Sequence, residues 1–76
     1  MRGETAKDAI IEEYERASTR FGQFNSAHEG YSVILEELDE LWEEVKKNGD
    51  KRNMETMRKE AMQVAAMALR FMVDIC

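Results

Sequence analysis

Apolar residues fall along this chain in three runs of helical period, separated by two breaks that each carry a glycine. Over about 5–21, Ala6, Ile10, Tyr14, Ala17 and Phe21 recur at steps of three and four, the mark of one face of an amphipathic helix. After Gly22, Ser26-Ala27-His28-Glu29 has the form of a capping box, in which the serine oxygen accepts the amide of the third helical residue and the glutamate returns the bond. A second helix is therefore predicted over about 27–47. Its apolar positions are Tyr31, Ile34, Leu35, Leu38, Leu41, Trp42 and Val45, and Asn48-Gly49 is predicted to end it through a left-handed residue. A third helix is predicted over about 54–75, with Asp50 or Asn53 as its N-cap. The fold class is all-α, with three helices in a single domain spanning 1–76.

The third run differs in kind from the others. Between Ala61 and Ile75 only Gln63, Arg70 and Asp74 are polar, and they share one narrow sector of the helix. A helix that is apolar nearly all round needs cover on most sides, which two short amphipathic partners do not supply. A second copy of the chain is the simplest cover, so the expected assembly is a homodimer whose helices 2 and 3 form a four-helix bundle. Ala65, Ala66 and Ala68 would allow close helix approach. The methionines Met54, Met57, Met62, Met67 and Met72 would fill irregular gaps in such a core, a ligand groove being the alternative.

Length and charge narrow the function classes. A chain of 76 residues is at most one domain with a small core. Its single cysteine, Cys76, excludes a disulfide framework. The start MRGETAK has no apolar core of a signal peptide, and the longest apolar run, Val64 to Leu69, is too short for a bilayer, so a cytoplasmic protein with no membrane partner is expected. The net charge is −5, with the 11 basic residues scattered. That balance argues against a nucleic-acid polymer as partner and implies that any phosphate ligand would need a bridging metal.

The charge is concentrated in one stretch. EELDELWEE places Glu36, Glu37, Asp39, Glu40, Glu43 and Glu44 within nine positions, where like charges three and four apart repel by roughly 0.2–0.5 kcal/mol per pair. Taking Glu29 as zero and about 100° per residue, Glu36, Glu40 and Glu37 project at roughly 340°, 20° and 80°, beside an apolar stripe at roughly 120–240°. Those carboxylates can converge on a hard cation such as Mg²⁺, which takes oxygen ligands in octahedral geometry. A plain solvated face, with Lys46 and Lys47 relieving the outer glutamates, is the alternative.

The Glu36-Glu37-Leu38-Asp39-Glu40 stretch resembles the EExxE element of the MazG-like all-α nucleoside triphosphate pyrophosphohydrolases. Lys59-Glu60-Ala61-Met62-Gln63 lies where that family's ExxD element follows on the next helix, and the likeness runs from Phe21 to Phe71. The resemblance implies Mg²⁺ (or Mn²⁺) as cofactor, a homodimer or a dimer of dimers, and hydrolysis of a nucleoside triphosphate to monophosphate and pyrophosphate. It implies Glu36, Glu37, Glu40, Glu60 and Gln63 as metal ligands, with Glu37 and Glu40 as catalytic carboxylates. Gln63 stands where the family has aspartate. Its neutral amide adds no charge, and leaves open a slower enzyme, a rearranged site, or a nucleotide- and metal-binding protein without turnover.

Phosphate and base would need further groups. Lys47, Arg58, Lys59 and Arg70 are the basic candidates, Arg70 foremost because it shares the Gln63 sector; surface solubility is the alternative for Lys47 and Lys59. Phe21, Phe24, Asn25, His28 and Trp42 surround the junction of helices 1 and 2, where stacking area and polar groups would hold a base, with His28 and Trp42 as candidate substrate contacts and Phe21 and Trp42 also read as core. A dimeric helical adaptor whose acidic face docks a basic partner is the reading from a different class.

Overall fold

The computed structural model describes all 76 residues as α1 (Gly3–Phe21), α2 (Ala27–Val45), a single 3₁₀ turn (Gly49–Lys51) and α3 (Met54–Asp74), with no strand. The expected all-α chain of three helices is present. Capping accounts for most of the boundaries. Ser26 Oγ accepts the Glu29 amide at 3.1 Å, as the capping box requires. The glutamate returns its bonds one residue upstream of the expected place, accepting the Asn25 backbone amide at 2.9 Å and its side-chain amide at 3.1 Å. Asn53, rather than Asp50, caps α3 by accepting the amides of Glu55 and Thr56 at 2.9 and 3.1 Å.

The end of α2 differs from expectation. Gly22, at φ 73°, is the only residue with positive φ, so Asn48-Gly49 forms no left-handed stop. Lys46 stays in the right-handed helical region with its amide bonded to Trp42 O. The physical reason is that Arg52 Nε donates to Val45 O at 2.8 Å, satisfying a terminal carbonyl from across the turn.

α3 packs against both other helices, and α1 and α2 do not pack on one another. Ala17, Ala66 and Met67 form the buried centre, with Ile10, Tyr14, Val33 and Ile34 against it. The link between α1 and α2 is fastened to the far end of α3. Asp74 Oδ2 accepts the Phe24 amide at 3.0 Å, Arg70 Nη2 donates to Gly22 O at 2.7 Å, and the Arg70 guanidinium lies 4.2 Å above the Phe24 ring. The polar sector of α3 therefore faces inward: Arg70 is 4% exposed, while Met72 and Val73 are 65% and 56% exposed.

α2 is turned relative to its own hydrophobic stripe. Its less exposed residues, Gly30, Val33, Ile34, Glu37, Leu41, Glu44 and Val45, centre near 100° on a scale of about 100° per residue from Glu29, whereas the apolar stripe centres near 180°. Tyr31, Leu35, Leu38 and Trp42 consequently project outward and are exposed. Phe21 and Trp42 correct the core reading made from periodicity: they are 63% and 58% exposed, Phe21 because it is the last residue of α1 and stands at the open cleft, Trp42 because its face of α2 points away from α3. Only 7 of the 76 residues are buried and no large side chain is fully so, which leaves the chain with less core than its apolar content could build. No helix is long and apolar enough to cross a membrane.

Gly30 permits the closest approach of α2 to this junction, since a Cβ there would stand 2.6 Å from Phe71 Cδ2 and 3.1 Å from Phe24 Cδ2. Gly30→Ala should destabilise the chain by about 1–3 kcal/mol through overpacking. Urea unfolding checks this; an unchanged midpoint would mean that the two rings yield without cost.

Candidate metal centre

Because α1 and α2 stand apart, a cleft of about 640 Å³ opens between them with α3 as its floor. This lies within the range of roughly 300–1,000 Å³ common for ligand sites. The α2 wall supplies Glu29, Val33, Glu36, Glu37 and Glu40; the floor supplies Lys59, Glu60, Gln63, Met67 and Arg70; the α1 wall supplies Glu13, Arg16, Ala17 and Phe21. Gln23, Phe24 and Asn25 close one end.

The rotation of α2 carries Glu37 into the seam with α3. One carboxylate oxygen each from Glu37, Glu40 and Glu60 lie within 4.8 Å of one another. Glu37 and Glu40 sit one turn apart on α2, and Glu60 arrives from the facing turn of α3. No cation of the chain pairs with any of them. The nearby lysines are engaged further out, Lys46 with Glu43 and Lys47 with Glu44, each at 2.9 Å, so the relief foreseen for the outer glutamates stops short of the inner group.

The electrostatic consequence is a raised proton affinity. Burial, followed by the charges of Glu40, Glu60 and Glu36, pushes the Glu37 carboxyl up to about 7. Burial and the Glu40 charge likewise raise Glu60, against a small opposing pull from Lys59. Glu60 Oε2 is buried and has no hydrogen-bond partner. Three hard oxygen donors with no internal counter-charge, one of them from a carboxylate that has an orphaned oxygen, are a donor set that suits Mg²⁺ or Mn²⁺.

The remaining sequence candidates divide. Glu36 lines the cleft and raises Glu37 by its charge, but stands outside the close group. Gln63 lines the cleft and is turned towards Glu13, whose proton affinity it helps to lower. Lys59 lines the cleft, and Arg70 does so from its buried position, with one donor on Gly22 O. His28, Trp42 and Lys47 lie outside it: the His28 carbonyl accepts the Ser32 hydroxyl, Trp42 faces solvent, and Lys47 is held by Glu44.

Among the cleft residues that escaped the sequence reading, Glu13 and Arg16 are the charged ones. Glu13 is buried on the α1 wall, where Arg16 grips both its oxygens at 2.9 and 2.5 Å and holds its carboxyl below the ordinary range. The available signal was a carboxylate within an apolar face, since Glu13 falls about 40° from Ala17 at about 100° per residue. No protein-family model, curated protein or solved structure matches this chain.

The shifts fix a pH dependence. Glu37 binds its proton more tightly folded than at its ordinary 4.5, so its contribution to stability is whole below about pH 4.5 and is lost as pH rises through about 7. Glu13 and Glu29, held below their ordinary values, act in the opposite sense, losing their contribution as pH falls. The difference between wild type and Glu37→Gln isolates the first effect. In metal-free buffer the variant should gain stability relative to wild type as pH rises from 4.5 to 8, read from melting temperatures across that range. A pH-independent difference would mean that Glu37 does not feel its neighbours.

Proposed function

We propose that the chain is a Mg²⁺-dependent hydrolase of nucleoside triphosphates, yielding monophosphate and pyrophosphate, as its likeness to the MazG-like family implies. The observation that carries the proposal is the group of three carboxylates from two helices, converging within 4.8 Å and left without a cation partner inside a cleft of ligand size. Glu37, Glu40 and Glu60 would hold the ion. Bound there, Mg²⁺ supplies neutralisation of phosphate charge that an acidic protein would otherwise repel. Glu37 and Glu40, the catalytic carboxylates that the resemblance implies, would orient the attacking water and take its proton as the water oxygen bonds to phosphorus and the anhydride bond to pyrophosphate breaks. Lys59 on the floor is placed to balance charge on the phosphate chain.

The functional unit in this reading is a cytoplasmic homodimer. Its support is the exposed stripe of Tyr31, Leu35, Leu38 and Trp42 on α2 with Met72 and Val73 on α3, more uncovered apolar surface than so small a core can balance. A second reading, a metal- and nucleotide-binding protein without turnover, is favoured by Gln63, whose amide turns towards Glu13 and adds no anionic ligand to the group.

Two measurements separate these readings. Millimolar Mg²⁺ should raise the melting temperature more than NaCl of equal ionic strength, and a panel of nucleoside triphosphates should yield pyrophosphate with at least one member. Glu60→Gln should cut that release by about tenfold or more. Metal stabilisation without turnover would establish the binding protein; a response to Mg²⁺ no larger than to NaCl would remove the metal centre altogether.

For the assembly, sedimentation at micromolar concentration should give about twice the 8.8 kDa chain mass. Leu38→Glu, which places a charge in the exposed stripe, should lower the mass to that of a monomer or unfold the chain. A wild-type monomer that melts cooperatively would refute the dimer.

A further inference from the structure

We infer that Arg16, clamped by Glu13, is an anion-binding residue that α1 presents to the phosphate chain of a ligand spanning the cleft; this rests on the metal-centre reading for the ligand's other end. Glu13 is 10% exposed at its side chain, a carboxylate set into the face that α1 turns to α3. A carboxylate there needs a partner, and Arg16 supplies one through a two-pronged contact, Nε to Oε1 and Nη2 to Oε2. That grip uses one edge of the guanidinium. The Nη1 edge has no partner, and the Arg16 side chain is 54% exposed at the cleft wall. An arginine otherwise free to sweep through solvent is thus held in one orientation with its remaining donors unspent.

The surroundings favour an anion of extended shape. Lys59 lines the same cleft from the floor, close enough for its charge to act on Glu13, so two cations, Arg16 and Lys59, stand around that one carboxylate. The Glu37, Glu40 and Glu60 group lies where the opposite wall meets the floor. An oligophosphate with one end at a cation on that group would lie across the floor towards Arg16 and Lys59. Such a ligand would also tie together α1 and α2, which have no packing of their own. The shared chemistry is a di- or triphosphate chain, whether free or carried by a nucleoside.

The test is calorimetric titration of the full-length protein with inorganic tripolyphosphate, metal-free and with Mn²⁺, alongside Mn²⁺ affinity measured separately by electron paramagnetic resonance. Arg16→Gln should weaken tripolyphosphate binding by about tenfold or more, as loss of a charged hydrogen-bond donor does. Arg16→Lys should recover part of that loss, Glu13→Gln should weaken binding less than Arg16→Gln, and Mn²⁺ affinity should stay at the wild-type value in all three. Should Arg16→Gln fail to fold, the double variant Glu13→Gln/Arg16→Gln, which leaves no unpaired charge, takes its place. Wild-type tripolyphosphate affinity in the Arg16→Gln or double variant, or no binding by wild type in either buffer, overturns the inference. Absence of Mn²⁺ binding with an Arg16-dependent affinity for tripolyphosphate in metal-free buffer overturns the metal centre and leaves the anion site standing.

Discussion

Three carboxylates meet in the seam between α2 and α3, and no side chain of the protein neutralises them. Glu37 is drawn into partial burial by the way α2 lies on α3, and Glu60 rises to meet it from the opposite helix. Burial, followed by the neighbouring charges, raises the proton affinity of Glu37 and of Glu60. The same seam sets the width of the cleft, because α2 is positioned by what it packs on α3 and α1 is positioned independently on another side.

α3 makes that arrangement possible by carrying its polar residues inward. Arg70 lies buried with its guanidinium over Phe24 and one donor on Gly22 O, and Asp74 accepts the Phe24 amide. These contacts fasten the α1–α2 link to the end of α3 and so close the cleft at that end. Arg70 Nε remains buried without a partner, and the Phe24 ring face offsets part of its desolvation. Gly30 lets Phe24 and Phe71 come together beneath the link. The helix that is apolar nearly all round from Ala61 onward is thus the one whose few polar groups there organise the site.

α2 has two working faces. One, with Val33, Ile34, Glu37 and Leu41, lies against α3; the other, with Tyr31, Leu35, Leu38 and Trp42, has no cover in the chain. The proposed second copy would bury the outer face without disturbing the inner one. This division ties the carboxylate group to the proposed assembly, since the turn of α2 that frees its apolar stripe is the turn that brings Glu37 inward.

The residue order alone determined the three helices, the break at Gly22, the cap at Ser26, the choice of Asp50 or Asn53 for the third helix, and the convergence of Glu37 and Glu40 on one face. These follow from interactions within a few residues, where helical period and capping chemistry operate. Glu60 also came from sequence, through the resemblance, and tertiary packing placed it against the other two. What only the tertiary structure decided was the direction in which each helix faces. An apolar arc of roughly 120° can sit on a neighbour by either edge. Periodicity therefore placed Trp42 and Phe21 inside, whereas packing turned Trp42 to solvent and left Phe21 at the mouth of the cleft. The pairing of Glu13 with Arg16 was within helical reach, yet its place in a cleft wall depended on α1 and α2 both choosing α3 over each other. Gly49 was read as a left-handed stop because local chemistry favours one there; Arg52, reaching back across the turn to Val45 O, removed the need.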